Sequence, residues 1–313
     1  QLNFIIQSYI SNRSKINICD YGCGRGVFLG ALSNHPKKKI AKYLAIDSDN
    51  DAITEIKHFL LNNHQIVTDQ HVCKPEEVDM GRYGGQFDLV IMHHLLHEID
   101  PHKVLDKVFK LLKPKGKILI GDFIFFKWYE ADHVFWDCDT VKGLFTSELF
   151  EVNCKTFREE KGRELFLAEV SLKHGVCFPE IFDLLPRIKF IYQKMLEECR
   201  EIITRIGGPY PGKDTPREAQ FYHNIESHIK RRLEGLEKVS ELELVEKVNS
   251  AIEKLKKEYS CWQNRYIRQE GRSARAGILP PHEFLEISQL KRLEEKQIKG
   301  DDIKKVEERG FEK

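Results

Sequence analysis

The segment CDYGCGRGVFLGAL at residues 19–32 constrains the fold more than any other part of the sequence. It places three glycines at alternate positions, Gly22, Gly24 and Gly26, shortly after Asp20. The preceding run INI predicts a buried strand, and the following VFLGAL predicts an amphipathic helix. Glycine lets a backbone turn sharply and approach a ligand closely. A strand, a glycine-rich turn and a helix N-terminus indicate the nucleotide-binding corner of an α/β fold.

The spacing of these glycines distinguishes between classes of nucleotide. The pattern Asp-x-Gly-x-Gly-x-Gly matches neither the dinucleotide fingerprint G-x-G-x-x-G nor the phosphate loop, which requires a lysine. It resembles the first motif of the class I S-adenosylmethionine (SAM)-dependent methyltransferases. The resemblance implies that Gly22, Gly24 and Gly26 pass close to SAM, and that Asp20 lies near the charged amino acid portion of the cofactor.

A second apolar strand, in KYLAIDSDNDAI at residues 42–53, ends at Asp47. In Rossmann-like sites an acidic residue about 20 residues beyond the glycines accepts hydrogen bonds from the ribose hydroxyls, and Asp47 holds that position. Ser48, Asp49 and Asn50 follow as candidate N-caps of the next helix. Helix capping is therefore the alternative role of Asp47.

The third strand is predicted within residues 64–72, and the fourth, together with its loop, at 87–100. Residues 111–123 predict a helix end, a Pro/Gly turn and the fifth strand. This alternation of strands with helices predicts an α/β fold with a doubly wound, Rossmann-like parallel sheet. Residues 149–175 are expected to add two antiparallel strands. The resemblance to the methyltransferases covers residues 15–123 and extends more weakly to residue 174.

The resemblance implies further cofactor contacts at the ends of the third and fourth strands. Asp69, with its neighbour Gln70, is the candidate for contacting the adenine. Met92 and His93, at the end of the fourth strand, are the candidates that line the cofactor.

The loop MHHLLHE after the fourth strand supplies the candidates for catalysis. A histidine with a pKa near neutrality can accept a proton during methyl transfer, which makes His94 and His97 candidates. Asp122 ends the fifth strand on the expected substrate side and joins them. Packing or cofactor lining is the alternative, because methyl transfer often needs only proximity and alignment. His93 and His97 share the spacing of metal ligands, but the Glu-x-x-Glu-His arrangement of small-RNA 2′-O-methyltransferases is missing, so no metal is predicted.

Aromatic residues follow Asp122, and they predict either a lid over an apolar or aromatic acceptor or a buried core helix. These residues are Trp128, Tyr129, Phe135 and Trp136.

Several acceptor classes are disfavoured by missing motifs. No Asn/Asp-Pro-Pro-aromatic loop follows the fourth strand, and the chain contains no Pro-Cys dipeptide, which argues against methylation of adenine N6, cytosine N4 and cytosine C5. The net charge of +1 provides no general attraction to nucleic acid. Basic patches at residues 228–232 and 265–275 keep an RNA acceptor open. A small molecule, RNA or protein acceptor and a non-catalytic SAM-binding scaffold all remain open.

The sequence changes character after residue 174, which predicts a methyltransferase domain at residues 1–174 and a helical domain at 175–313. Apolar residues recur at coiled-coil spacing in residues 181–206 and 245–262. A third helix is expected at 216–236, and the tail is highly charged. We expect these helices to form one of three structures, namely a bundle within one chain, a homodimer interface or a surface that binds a partner or substrate.

The eight cysteines show no C-x-x-C pair, which predicts reduced thiols and a cytoplasmic protein. No apolar run reaches the length of a membrane span, so no membrane partner is expected. The chain starts at Gln1 inside an apolar stretch, and we therefore expect a segment upstream.

We expect SAM or S-adenosylhomocysteine to raise the melting temperature of the chain, because a ligand that binds only the native state stabilises it. The gain is about 2.7 kcal/mol at a hundredfold excess over Kd. Thermal unfolding with each ligand and with NAD tests this. A shift with NAD and none with SAM or S-adenosylhomocysteine would contradict the assignment.

Overall fold

The computed structural model describes residues 2–10, 15–33, 40–63, 67–124, 134, 136–158, 164–206 and 219–240, together with isolated positions as far as 257.

A seven-stranded sheet forms the centre of the protein, with the strand order β3-β2-β1-β4-β5-β7-β6. Strands β1 to β5 are parallel, and β7 pairs antiparallel with both β5 and β6. This arrangement confirms the predicted Rossmann-like sheet and its two final antiparallel strands. The strands are β1 (Ile16–Tyr21), β2 (Ile40–Ile46), β3 (Val67–Cys73), β4 (Phe87–His93), β5 (Leu112–Phe123), β6 (Phe150–Arg158) and β7 (Glu164–Leu172).

Helices flank the sheet, and short sequence signals set their ends. Asp49 caps α3 by accepting a hydrogen bond from the backbone N–H of Asp51, and Pro101 occupies the first turn of α5. The helices are α1 (Leu2–Ile5, followed by a π-helical turn at Ile6–Ile10), α2 (Val27–Ser33), α3 (Asn50–Asn62), α4 (Met80–Tyr83), α5 (Pro101–Leu111), α6 (Cys138–Leu144), α7 (Ile181–Arg205) and α8 (residues 219–240).

The two faces of the sheet carry separate apolar clusters, because successive strand residues point to opposite sides. In β4, Leu89 and Ile91 pack in the cluster of α1, α2 and α3, whereas Val90 and Met92 pack in the cluster of α4 to α8. Burial on both faces explains why β1, β2 and β4 are almost continuously apolar.

Helix α7 buries a wider stripe than the predicted coiled-coil seam. The predicted positions Ile181, Leu185, Ile188, Tyr192 and Cys199 are buried, and so are Leu184, Ile191 and Ile203. A stripe of this width is typical of a helix that packs on a globular core.

Helices α7 and α8 share a cluster with the sheet, and one compact unit extends over Gln1–Leu244, with Val245–Lys313 as the second. This division differs from the predicted boundary at residue 174. The segment 207–216 between α7 and α8, and nearly all of the second predicted seam at 245–262, lie outside the described residues.

Two cysteines form a disulfide, which corrects the expectation of reduced thiols throughout. Cys138 at the start of α6 is bonded to Cys154 in β6, with their Cα atoms 5.7 Å apart. The partners are 16 residues apart in sequence, so no short motif announces the pair. The cytoplasmic location stays a prediction. Within the described ranges, no helix combines the length and apolarity needed to cross a bilayer.

Helix α7 offers a matched test of its packing. Ile188 is fully buried, whereas Phe190 on the same helix is 66% exposed. We expect Ile188→Asp to lower the free energy of unfolding by more than about 3 kcal/mol, because it removes apolar burial and places a charge in the core. Phe190→Asp should change it by less than about 0.5 kcal/mol. Urea denaturation of both variants tests this, and equal losses would contradict the observed packing.

Candidate functional site

The glycine loop turns from β1 into α2, and its three glycines all adopt positive φ angles. The backbone N–H groups of Gly22 and Cys23 donate to the Ile46 carbonyl at 2.8 and 3.1 Å, which ties the loop to the end of β2. A Cβ at Gly22 would lie 2.6 Å from the Leu95 side chain, and a Cβ at Gly26 would lie 3.4 Å from Ile56. Packing against Leu95 therefore favours glycine at position 22, whereas at position 26 the positive φ favours it.

Gly24 differs from its neighbours, because a Cβ there would meet no atom within 4 Å. Its φ of +51° places it in the left-handed region that favours glycine. The open space beside its backbone is the feature expected where a ligand approaches the loop.

Asp47 stands at the end of β2 beside this opening. Its Oδ2 accepts a hydrogen bond from the Gly24 N–H at 2.7 Å, and its Oδ1 accepts one from the Asp49 N–H at 2.9 Å. Because the side chain of Asp49 caps α3, Asp47 does not serve as the cap. The alternative role of Asp47 is thereby excluded, and its carboxylate is fixed at the mouth of the loop.

Asp20 lies near the end of β1 and is only 2% exposed. The Tyr43 hydroxyl donates a hydrogen bond to its Oδ2 at 2.7 Å. Burial raises the pKa of Asp20 to about 7. The hydrogen bond from Tyr43 opposes this rise, and the nearby charge of Asp47 contributes to it. A cationic group placed beside Asp20 would favour its ionised form.

Asp69 and Gln70 do not reach this edge of the sheet, which corrects their predicted placement. They pair with Lys42 and Tyr43 in the interior of the sheet, whereas Cys73 is the last residue of β3. At about 3.3 Å per residue, four residues separate Asp69 from the strand end by roughly 13 Å. Its carboxylate instead lies 3.9 Å from Lys42 and 3.6 Å from Arg82.

Met92 and His93 end β4 next to the end of β5. Met92 is fully buried in the core, so packing is the role that the structure shows for its side chain. In the sheet, His93 is paired with Gly121 of β5. The ring centroids of His93 and His94 are 3.9 Å apart. Burial lowers the pKa of His93 to about 3, with a further contribution from His94. His93 is therefore neutral at physiological pH.

His94 adopts a φ of +56°, which costs a non-glycine residue on the order of 1 kcal/mol. Its N–H donates to the Gly121 carbonyl at 2.7 Å, and its ring stacks on Phe123 with a centroid distance of 4.2 Å. Its Nδ1 lies 3.5 Å from Asp122 Oδ1, which is too far for a good hydrogen bond. This buried nitrogen has no hydrogen-bond partner among the described residues. These contacts hold the turn that carries the chain from β4 over β5.

Asp122 and His97 form a buried pair at the end of β5. The distance between Asp122 Oδ1 and His97 Nδ1 is 2.7 Å, and the His97 backbone N–H donates to Asp122 Oδ2 at 3.2 Å. Burial favours the neutral form of His97, but its hydrogen bonds with Asp122 and Glu98 outweigh burial and raise its pKa to about 9. Burial likewise opposes ionisation of Asp122, but contacts with His94 and His97 lower its pKa to about 2. The pair is thus an imidazolium and a carboxylate at neutral pH.

Arg232 of α8 binds the same loop from the other side. This buried role was not predicted from the sequence. It is 6% exposed, and its Nη2 donates to the His97 carbonyl at 2.8 Å. Its Nη1 donates to the Tyr192 hydroxyl at 3.2 Å, and that hydroxyl donates to Asp100 at 2.8 Å. Arg232 falls in the apolar repeat of α8, three residues after buried Ile229, and this register is the signal that could have found it.

The structure therefore brings together the catalytic candidates His94, His97 and Asp122, with His93 beside them. Asp20, the glycines and Asp47 form a neighbouring group at the ends of β1 and β2. Of the predicted aromatic residues, Trp136 is fully buried, whereas Trp128, Tyr129 and Phe135 lie outside the described residues. In the part of the chain that the structure describes, no group of three or more His, Cys, Asp or Glu side chains is arranged to hold a metal ion.

Comparison with known families agrees with the fold and with the glycine loop. Residues 4–135 match the model of the family described as a methyltransferase domain. This match confirms the resemblance to methyltransferases noted in the sequence. A search of curated proteins finds no match.

Several solved structures are similar at low identity. The YcgJ protein of Bacillus subtilis is 13% identical, over 56% of this chain and 98% of that chain, with a TM-score of 0.42. A SAM dependent methyltransferase from Aquifex aeolicus is 18% identical, over 50% of this chain and 82% of that chain, with a TM-score of 0.39. Phosphoethanolamine N-methyltransferase 1 of Haemonchus contortus, in complex with phosphoethanolamine and S-adenosylhomocysteine, is 14% identical, over 64% of this chain and 48% of that chain, with a TM-score of 0.43.

The pair of Asp122 and His97 predicts a specific pH dependence of stability. The pKa of His97 is about 9 in the folded state and 6.5 as an ordinary histidine, so its stabilising contribution is complete below pH 6.5 and is lost as the pH rises through 9. We expect His97→Gln to remove this loss between pH 6.5 and 9. His58→Gln, at an exposed position on α3, should retain it.

Urea denaturation at several pH values and NMR titration of the imidazoles provide the measurements. Titration of His97 near pH 6.5 would contradict the ion pair.

Proposed function

We propose that this domain binds SAM along the glycine loop and transfers its methyl group to an acceptor at the ends of β4 and β5. The observation that carries the proposal is the open space at Gly24, with the Asp47 carboxylate fixed beside it. The Asp47 carboxylate can accept hydrogen bonds from hydroxyl groups. A cation beside the buried Asp20 carboxyl group would lower its pKa and favour its ionised form. These residues fit the ribose and the charged amino acid portion of SAM, which supplies an electrophilic methyl group when bound.

The histidines do not support general base catalysis by His97 at neutral pH. Its imidazole is already protonated by pairing with Asp122, and a protonated histidine accepts no further proton. His93 is neutral, but its low pKa makes it a weak base. Asp122 and His97 instead fix the shape of the loop that borders the acceptor. Alignment of the acceptor with the methyl group then supplies the main part of the rate enhancement.

The described part of the basic patch at residues 228–232 favours a small-molecule acceptor over RNA. Arg232 points its guanidinium into the protein, where its Nε lies 3.5 Å from Asp100, so it is withdrawn from phosphate contacts. The second patch, at residues 265–275, lies outside the described residues. An RNA acceptor and a SAM-binding scaffold remain as outcomes of the experiment.

Gly24 and Gly85 offer a matched pair of variants. Both have positive φ angles, and a Cβ at either would meet no atom within 4 Å, so valine strains both backbones in the same way. We expect Gly24→Val to weaken SAM binding at least about a hundredfold, because its methyl groups occupy the ligand's space. Gly85→Val, in the turn before β4, should keep the affinity.

Calorimetric titration with SAM and S-adenosylhomocysteine measures these affinities. Unchanged affinity in folded Gly24→Val would contradict the proposed site. Transfer of labelled methyl groups from SAM in a cell extract, with the labelled product separated into small molecules, RNA and protein, then identifies the acceptor. Tight SAM binding without any labelled product would indicate a scaffold.

A further inference from the structure

A cavity of about 220 Å³ lies between the end of β5 and helices α7 and α8. Ile124, two residues after Asp122, forms one wall, and Trp136 forms another. Met195 of α7 and Ile225 and Ile229 of α8 complete the apolar lining. Most of these residues follow residue 135, where the match to the methyltransferase family ends. The cavity is therefore built mainly by the part of the chain that follows this match.

The cavity is joined to the Asp122–His97 pair through short contacts. The Trp136 ring packs against Tyr192 with a centroid distance of 6.4 Å, and the Tyr192 hydroxyl binds Asp100 and Arg232. Arg232 in turn binds the His97 carbonyl. The wall of the cavity is therefore packed against the network that holds the loop bordering the proposed methyl-transfer site.

The charge of the lining is one-sided. Among the described residues that border the cavity, Asp137 and Glu198 are acidic, and none is Lys, Arg or His. Asp137 accepts hydrogen bonds from the backbone N–H and the hydroxyl of Thr140, which fixes its carboxylate. Glu198 lies 3.8 Å from Lys194, but both are well exposed, so this contact offsets little of its charge. The described part of the lining therefore carries negative charge only.

We propose that this cavity is the acceptor site and that it takes a small, largely apolar, neutral or cationic group. The inference rests on the proposed methyl-transfer function and names the substrate class for it. The apolar lining favours an aromatic or aliphatic body, and the volume fits a group of about the size of a bicyclic ring. The two carboxylates disfavour phosphates and carboxylic acids.

Three bicyclic probes of matched shape test the charge preference, namely quinoline, 4-(aminomethyl)quinoline and quinoline-4-carboxylate. Their affinities for the full chain are measured by ligand-observed NMR titration in the presence of S-adenosylhomocysteine. We expect the first two to bind and the carboxylate to bind at least about tenfold more weakly, because it meets two negative charges. Absence of binding by all three, or equal binding of the carboxylate, would overturn the proposal.

Two variants locate the bound probe. Ile202→Trp fills the cavity from a partly exposed position on α7 and should abolish quinoline binding, whereas Phe190→Trp on the exposed side of α7 should leave it unchanged. Quinoline binding that survives Ile202→Trp would place the probe elsewhere and overturn the proposal.

The same titrations separate this inference from the proposed function. If S-adenosylhomocysteine binds and the probes do not, the cavity assignment fails while the cofactor site stands. If the probes bind and neither SAM nor S-adenosylhomocysteine does, the cavity has no role as an acceptor site and the proposed function fails as well.

Discussion

The Asp122 carboxylate organises the carboxyl edge of the sheet, because it is fully buried and a buried charge must be paired. Its oxygens accept hydrogen bonds from the side chain and backbone of His97 and from the Phe123 N–H at 2.8 Å. These contacts require the chain to fold back over β5 immediately after β4. This fold requires a positive φ at His94, which is unfavourable for a residue other than glycine. The ion pair between Asp122 and His97 stabilises the chain in this conformation.

The helical part of the chain completes this edge. Arg232 extends from α8 to the His97 carbonyl. The loop is therefore held by the Asp122 carboxylate on one side and by the Arg232 guanidinium on the other. Tyr192 and Asp100 contact the same guanidinium, at 3.2 Å from its Nη1 and 3.5 Å from its Nε. Removing one member of such a network leaves a buried polar group without its partner, which is costly. Helices α7 and α8 are thus structural components of the site as well as a cover for the sheet.

The parts of the site that sequence reasoning located follow from a topological rule. Parallel strands end at one edge, so Asp20, Asp47 and Asp122, each at or near a strand end, were expected to meet there. Asp69 was misplaced although the strand was predicted to end at residue 72 and β3 ends at Cys73, because the candidate was chosen for its acidic side chain and not for its position at the strand end. Arg232 was assigned to a basic surface because charge alone does not show which face of a helix is buried. The disulfide between Cys138 and Cys154 depends on a pairing that no local pattern encodes.

The close approach of Gly22 and Leu95 packs the glycine loop against the loop that follows β4. A methyl group added at position 22 would lie 2.6 Å from the Leu95 side chain, and Leu95 lies two residues before His97. A glycine loop transplanted onto another Rossmann-like scaffold therefore keeps this packing only if the side chain opposite position 22 is transplanted with it. A smaller residue at position 95 would make room for a side chain at position 22, but it would not remove the backbone strain that the positive φ imposes there.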